Sequence, residues 1–135
     1  MQKNEKVQRS LCLSLLSENS DFSAFKQIVQ SARRHNGRLG VTGVLVFDGE
    51  RFCHLIEGPE PAFDEVMQRI TADARHTQLT MLLPPTEAPS RLLFTWRSGY
   101  CSPDDLDQFS GPDALSGDAA LMAFLAVLTR CDLAG

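Results

Sequence analysis

The sequence predicts an α+β fold in which strands and helices follow the order β-α-β-β-α-β-β, with further helices in the tail. Three observations carry that reading. Two stretches have apolar residues at helical spacing, an Asp48-Gly49 pair separates two β-branched and aromatic runs, and 135 residues are enough for one domain with a real core. A hydrophobic fraction of 43% and a charged fraction of 22% are ordinary for a soluble globular chain, and no apolar run reaches the length of a bilayer span.

Each element has a local justification. LCLSLL, residues 11–16, is a short apolar run suited to a buried strand. ENSDFSAFKQIVQSARRHNG follows, with Ser20 and Asp21 as capping residues, Phe22, Phe25, Ile28, Val29 and Ala32 as apolar positions, and Gly37 as the stop. Asp48-Gly49 supplies the positive φ of a tight turn, so the runs on either side should be adjacent antiparallel strands. Pro59 can open the second helix, where its missing N–H is not needed, and Phe63, Val66, Met67 and Ile70 recur at helical spacing until an end near Arg75. LTMLLP and RLLFTWRSGY supply two more strands around a Pro-rich connection at 84–89. The tail holds a short helix and a longer one striped by Leu121, Phe124, Leu125 and Leu128, a face that must bury against the sheet or a partner. The expected organisation is a domain over 9–100 and a helical extension over 101–135.

Charge and composition exclude several classes. A formal net charge of -4 argues against direct, sequence-independent nucleic-acid binding, although Arg33, Arg34, His35 and Arg38 form a local basic cluster. Cysteines 12, 53, 101 and 131 make no C-x-x-C pair, and the opening MQKNEKVQRS has no secretory apolar segment, so a cytoplasmic chain with free thiols is expected. Histidines 35, 54 and 76 fit no standard zinc spacing, and no metal site is expected. No nucleophile-base pair, G-x-S-x-G elbow or phosphate loop is present, so the expectation is not an enzyme.

Polar residues in apolar places mark the candidate site. On the first helix Asn36 falls in the same arc as Phe25, Val29 and Ala32. On the second, Asp73 lies about 20° and Arg69 about 60° outside the Val66, Met67 and Ile70 arc, at 3.6 residues per turn. Strand alternation puts His54 on a face with Phe52 and Ile56, and Cys53, Leu55 and Glu57 on the other. Two helices covering one sheet face would then leave a slot lined by Asn36, His54 and Asp73, whose groups a flat heteroaromatic ligand with carbonyl and imide edges would satisfy. In the plainer alternative Asn36 caps its helix, Asp73 pairs with Arg69 at the surface and His54 bonds a nearby backbone group.

With these residues in view, the chain resembles the BLUF family, flavin-binding blue-light sensor domains. The resemblance rests on SARRHNGRLGVTGVLVFDGERF, on FCHLIEGP, similar to the family's F-x-Q-x-L-E-G strand, and on DARH, similar to its D-x-R-H. It implies a ferredoxin-like sheet with two helices on one face holding the isoalloxazine of FAD, and a helical C-terminal segment used for packing or output. Carried over by motif, the cofactor-binding positions are His35, Asn36, His54, Arg69, Asp73, Arg75 and His76, and the half-buried tryptophan of the last strand is Trp96.

The departures fall on the light switch. Where the family has an electron-donating tyrosine in a Y-x-S context, this sequence has Cys12 in CLS; where it has the signalling glutamine, His54; where it has a methionine two residues beyond the tryptophan, Ser98. A thiol with an ordinary pKa of about 8.5 is mostly protonated at neutral pH and is a poor substitute for a phenol in that relay. Glutamine exchanges donor and acceptor ends, whereas histidine offers two nitrogens and a titratable charge. The family's red-shifted signalling state is therefore not expected. Three readings follow: an FAD-binding sensor with altered or lost photochemistry; a flavin-free interaction module working through a protein partner or as a homodimer; and a thiol redox sensor using Cys12 beside flavin or Cys53.

Overall fold

The structure, a computed structural model, describes residues 6–135; the opening residues 1–5, part of the stretch read above for a secretory segment, lie outside the described residues. In chain order the elements are β1 (Val7–Leu16), α1 (Ser23–Leu39), β2 (Thr42–Phe47), β3 (Arg51–Gly58), α2 (Ala62–Ala72), β4 (His76–Ala88), β5 (Trp96–Tyr100), α3 (Pro103–Asp107), α4 (Gly117–Leu128) and β6 (Asp132–Ala134). The strands form a sheet in the order β4-β1-β3-β2-β5-β6. β3 pairs antiparallel with β1 and β2, β4 with β1, and β6 with β5, while β5 runs parallel to β2. This is the α+β, ferredoxin-like arrangement expected from the sequence.

Several boundaries differ from the sequence reading, each for a local reason. α1 runs past Gly37 and stops at Gly40, whose φ of 69° lets its N–H reach the Asn36 carbonyl. Asp21 still serves the helix start, accepting the Ser23 backbone N–H at 2.9 Å. α2 begins after Pro61 rather than at Pro59, and ends at Ala72, because Asp73 is already extended. β4 continues through Pro84 and Pro85, which an edge strand tolerates because one row of its N–H groups has no ladder partner. β5 begins only at Trp96, and β6 had no signal in the sequence.

Period-2 alternation gives the sheet two unlike faces. Leu11, Leu13, Val44, Val46, Cys53 and Leu55 point to one side, where Leu106 and Phe109 join them and α4 lays Leu121, Phe124 and Val127 on them. Leu125 and Leu128 of the predicted stripe are partly buried against the same cluster. On the other side the core is split in two. Phe25 and Val29 of α1 pack on Leu45, Phe47 and Phe52, and Phe63 and Val66 of α2 pack on Val41 and Ile56. The gap between those clusters lies over Cys12 and His54, which face each other across β1 and β3.

The segment before β5 is fastened by buried ions. Glu57, fully buried, pairs at 2.7 Å with Arg9, its cross-strand partner, and accepts the backbone N–H groups of Leu92 and Leu93 at 2.9 and 2.7 Å. Arg91 donates to the Thr42 hydroxyl and the Gly40 carbonyl, both at 2.8 Å. These bonds, rather than ladder pairing, hold residues 91–93, which is why RLLF is not strand. Among the described residues no helix is long and apolar enough to cross a membrane. Removing Glu57 strands the Arg9 charge and two N–H groups, so Glu57→Ala should lose about 3–5 kcal/mol of stability in urea unfolding; a loss below about 1 kcal/mol contradicts that role.

Candidate functional site

The gap between the helix-side clusters is a cleft with an interior of about 80 Å³ that opens toward solvent, room for several water-sized groups or the edge of a ring. Its floor comes from β1, β2 and β3 through Cys12, Ser14, Leu45, Phe52 and His54. α1 supplies one wall with Ile28, Ser31, Ala32, His35 and Asn36, an i, i+3, i+4, i+7, i+8 stripe. α2 and the turn after it supply the other with Val66, Arg69, Ile70, Asp73, Arg75 and His76.

The floor has room because β1 alternates large and small residues. Leu11 and Leu13 go to the α4 face, leaving Ser10, Cys12 and Ser14 under the helices. Ser14 and Ser31 were not among the residues singled out from the sequence, although the S-x-C-x-S alternation in SLCLS carried that signal.

His54 is 7% exposed, and its Nε2 is buried without a hydrogen-bond partner. Burial, and secondarily the nearby His76, lowers its pKa to about 3, so the ring is neutral at physiological pH. Trp96 stands edge-on to it, ring centroids 6.2 Å apart, with its own Nε1 buried and unpartnered. The Cys12 thiol lies 3.7 Å from the His54 carbonyl, and burial pushes its pKa up to about 12, so it keeps its proton. His76 donates from Nε2 to the Ile70 carbonyl at 2.6 Å, and its Nδ1 is buried without a partner. His35 donates from Nδ1 to the Ser31 carbonyl at 2.9 Å.

The plainer readings of these polar groups fare unevenly. The Asn36 carbonyl does close the helix end, accepting the Gly40 and Val41 N–H groups, but the residue is 4% exposed and lines the cleft. Asp73 does not pair with Arg69. Its carboxylate takes the Arg75 backbone N–H and a two-pronged grip from the Arg75 guanidinium at 2.9 and 2.7 Å, while Arg69 reaches Glu65 at 3.4 Å. Burial raises the Asp73 pKa, but the bonds from Arg75 outweigh it, and the carboxylate stays ionised. His54 makes no side-chain bond through Nε2. The cleft therefore gathers His35, Asn36, His54, Arg69, Asp73, Arg75, His76 and Cys12. Trp96 and Ser98 are not part of its lining; Ser98 is buried on β5 beside Leu45.

The profile of the BLUF family, described as sensors of blue-light using FAD, matches residues 8–99. The chain belongs to the BLUF family. Domains of this family are flavin-using blue-light sensory modules. It is 33% identical over 70 residues to the blue light- and temperature-regulated antirepressor BluF of Escherichia coli (strain K12), a match covering 52% of this chain and 17% of that protein. The dark-state structure of BlrB, a BLUF protein, superposes with a TM-score of 0.72 at 27% identity, covering 96% of this chain and 98% of that one. The photo-activated state of BlsA, at 19% identity, shares the fold with a TM-score of 0.74, covering 92% and 95%.

The protonation state of His54 gives this BLUF domain a pH signature. A folded pKa of about 3 against 6.5 in the unfolded chain means the unfolded chain binds the extra proton between those values, so stability is intact above pH 6.5 and falls as pH drops toward 3. Between about pH 7.5 and about pH 5 this should cost wild type about 2 kcal/mol that His54→Gln does not lose, read by urea unfolding at both values. Equal pH dependence in the two proteins contradicts a neutral, buried imidazole.

Proposed function

We propose that the cleft holds the isoalloxazine of FAD and that the chain is a sensor whose blue-light switch is altered or lost. The observation that carries this reading is the set of buried polar atoms around one cleft, with Nε2 of His54 and Nδ1 of His76 lacking partners among the described residues. A flavin ring presents carbonyl and imide edges, the complement such atoms require. When bound, the flavin supplies blue-light absorption and electron-transfer chemistry. The chain's part is to grip and orient: Asn36 offers an amide donor and acceptor, neutral His54 one of each, and Asp73 fixes the Arg75 guanidinium at the rim.

The altered switch follows from Cys12, His54 and Ser98. A protonated, buried thiol at position 12 lacks the phenol's ease of one-electron oxidation, and an imidazole at 54 cannot exchange amide ends. The output of such a chain goes to a protein partner or a second copy in the cytoplasm, without direct nucleic-acid contact; the antirepressor relative supports the first of these, a protein partner. The Cys12 thiol-sensor reading is disfavoured by its burial and raised pKa, and Cys53 faces α4 on the other side of the sheet. The flavin-free module stays as the second reading because Leu92, Phe94, Tyr100 and Met122 are exposed.

A visible spectrum separates the two. The purified chain should be yellow or take up FAD, with no red-shifted product after blue light, and Asn36→Ala should weaken FAD binding tenfold or more. The pair Cys12→Tyr with His54→Gln should restore a light-induced red shift. A colourless protein that ignores added FAD overturns the flavin reading, and a red shift in wild type overturns the altered switch.

A further inference from the structure

The cleft uses Cys12; Cys101 and Cys131 have no role in it. The antiparallel register of β5 and β6 runs Ser98 to Ala134, Gly99 to Leu133 and Tyr100 to Asp132, and Cys101 and Cys131 flank that last pair just outside the two strands. Both side chains pack on the α4-face core beside Leu133, which places the two sulfurs on the same side of the sheet. Their backbone N–H groups go elsewhere, Cys101 to the Phe47 carbonyl and Cys131 to that of Leu128, so neither donates to the other. Residues facing each other across antiparallel strands have Cα atoms about 4.5–5.5 Å apart, within the roughly 4.4–6.8 Å that a disulfide spans, and these two continue from such a facing pair.

We propose that Cys101 and Cys131 are a redox modification site that closes to a disulfide with a small-molecule disulfide such as glutathione disulfide as oxidant. Cys131 as thiolate attacks one sulfur of the oxidant, forming a mixed disulfide and releasing one glutathione thiolate. The Cys101 thiolate then attacks the Cys131 sulfur and releases the second. The two cysteine sulfurs lose two electrons, the oxidant gains them, and the two cysteine protons end on the released glutathiones.

The site tethers the C-terminal arm. α3 and α4 lie between the two cysteines, so the bond would close residues 101–131 into a loop and lock α4 and β6 against β5, on the face opposite the cleft. Both thiols are only half-buried, and the Cys101 pKa is pushed up to about 12 by burial and, next, by Cys131. The Cys131 pKa is raised too, by burial and then Asp105. Closure is therefore slow at neutral pH and accelerates as pH rises, because the thiolate is the attacking species.

The full chain, incubated in glutathione redox buffers from reducing to oxidising at several pH values and then alkylated and digested, tests this. The expected product is a peptide joining Cys101 to Cys131, forming faster at higher pH while Cys12 and Cys53 stay alkylatable, with a higher urea midpoint for the oxidised chain. Cys131→Ser should give no internal link and no midpoint gain. Reduced thiols throughout, stable mixed disulfides without an internal link, a link between another pair, or a Cys101–Cys131 link seen only in denaturant each overturn the proposal.

Discussion

β3 is paired on both sides, and its register decides what each face of the sheet meets. A slip of one residue would turn His54 into the apolar layer under α4 and put Leu55 on the floor of the cleft. It would also swing Glu57 away from Arg9 and the Leu92 and Leu93 amides, releasing the segment that leads into β5. The three consequences reinforce one another, so the polar floor is fixed by the same alternation that fixes the core. The Asp48-Gly49 turn begins this register: Gly49 takes a φ of 103°, and the Asp48 carboxylate accepts the Glu50 and Arg51 N–H groups at 2.9 and 2.6 Å.

The division of labour between the faces follows. On the α4 side the apolar layer is continuous, and the C-terminal segment completes it with Leu106, Phe109 and Phe124. On the α1 and α2 side two smaller clusters leave a gap, because the middle of β1 sends the small residues Ser10, Cys12 and Ser14 that way, with Leu16 reaching the α1 cluster only at the strand's end. Stability is concentrated on one face and the cleft is left in the other. In a BLUF domain this is a physical basis for a site that keeps buried polar atoms unpaired without loosening the fold, since the opposite layer carries most of the packing.

Much of this was legible in the sequence where residue type and period agree. The two helices, the hairpin, and the inward turn of Asn36 and His54 all follow from spacing. What escaped was set by distant partners. The partner of Asp73 could not be read from i, i+4 spacing, because the helix ends at Ala72 and the extended backbone there brings Arg75 within reach. Residues 91–93 look like strand but are claimed by Glu57 and Thr42, far away in sequence. Pro84 and Pro85 look like a break but sit on an edge, and β6 is too short to leave a pattern. Ser14 and Ser31 carry little signal because small residues at a cleft resemble small residues anywhere, and only the S-x-C-x-S alternation of β1 hints at the first of them.

The central claim is that the inward-facing polar groups between α1 and α2 form a ligand site for a flavin ring. Amide and imidazole NMR shift mapping during titration of flavin-depleted protein with FAD tests it most directly. The account requires saturable shifts concentrated on Asn36, His54, His76 and the turn at Asp73 to Arg75, with the α4 face unmoved. Shifts centred on α4 and β6, or none at saturating FAD, would contradict it.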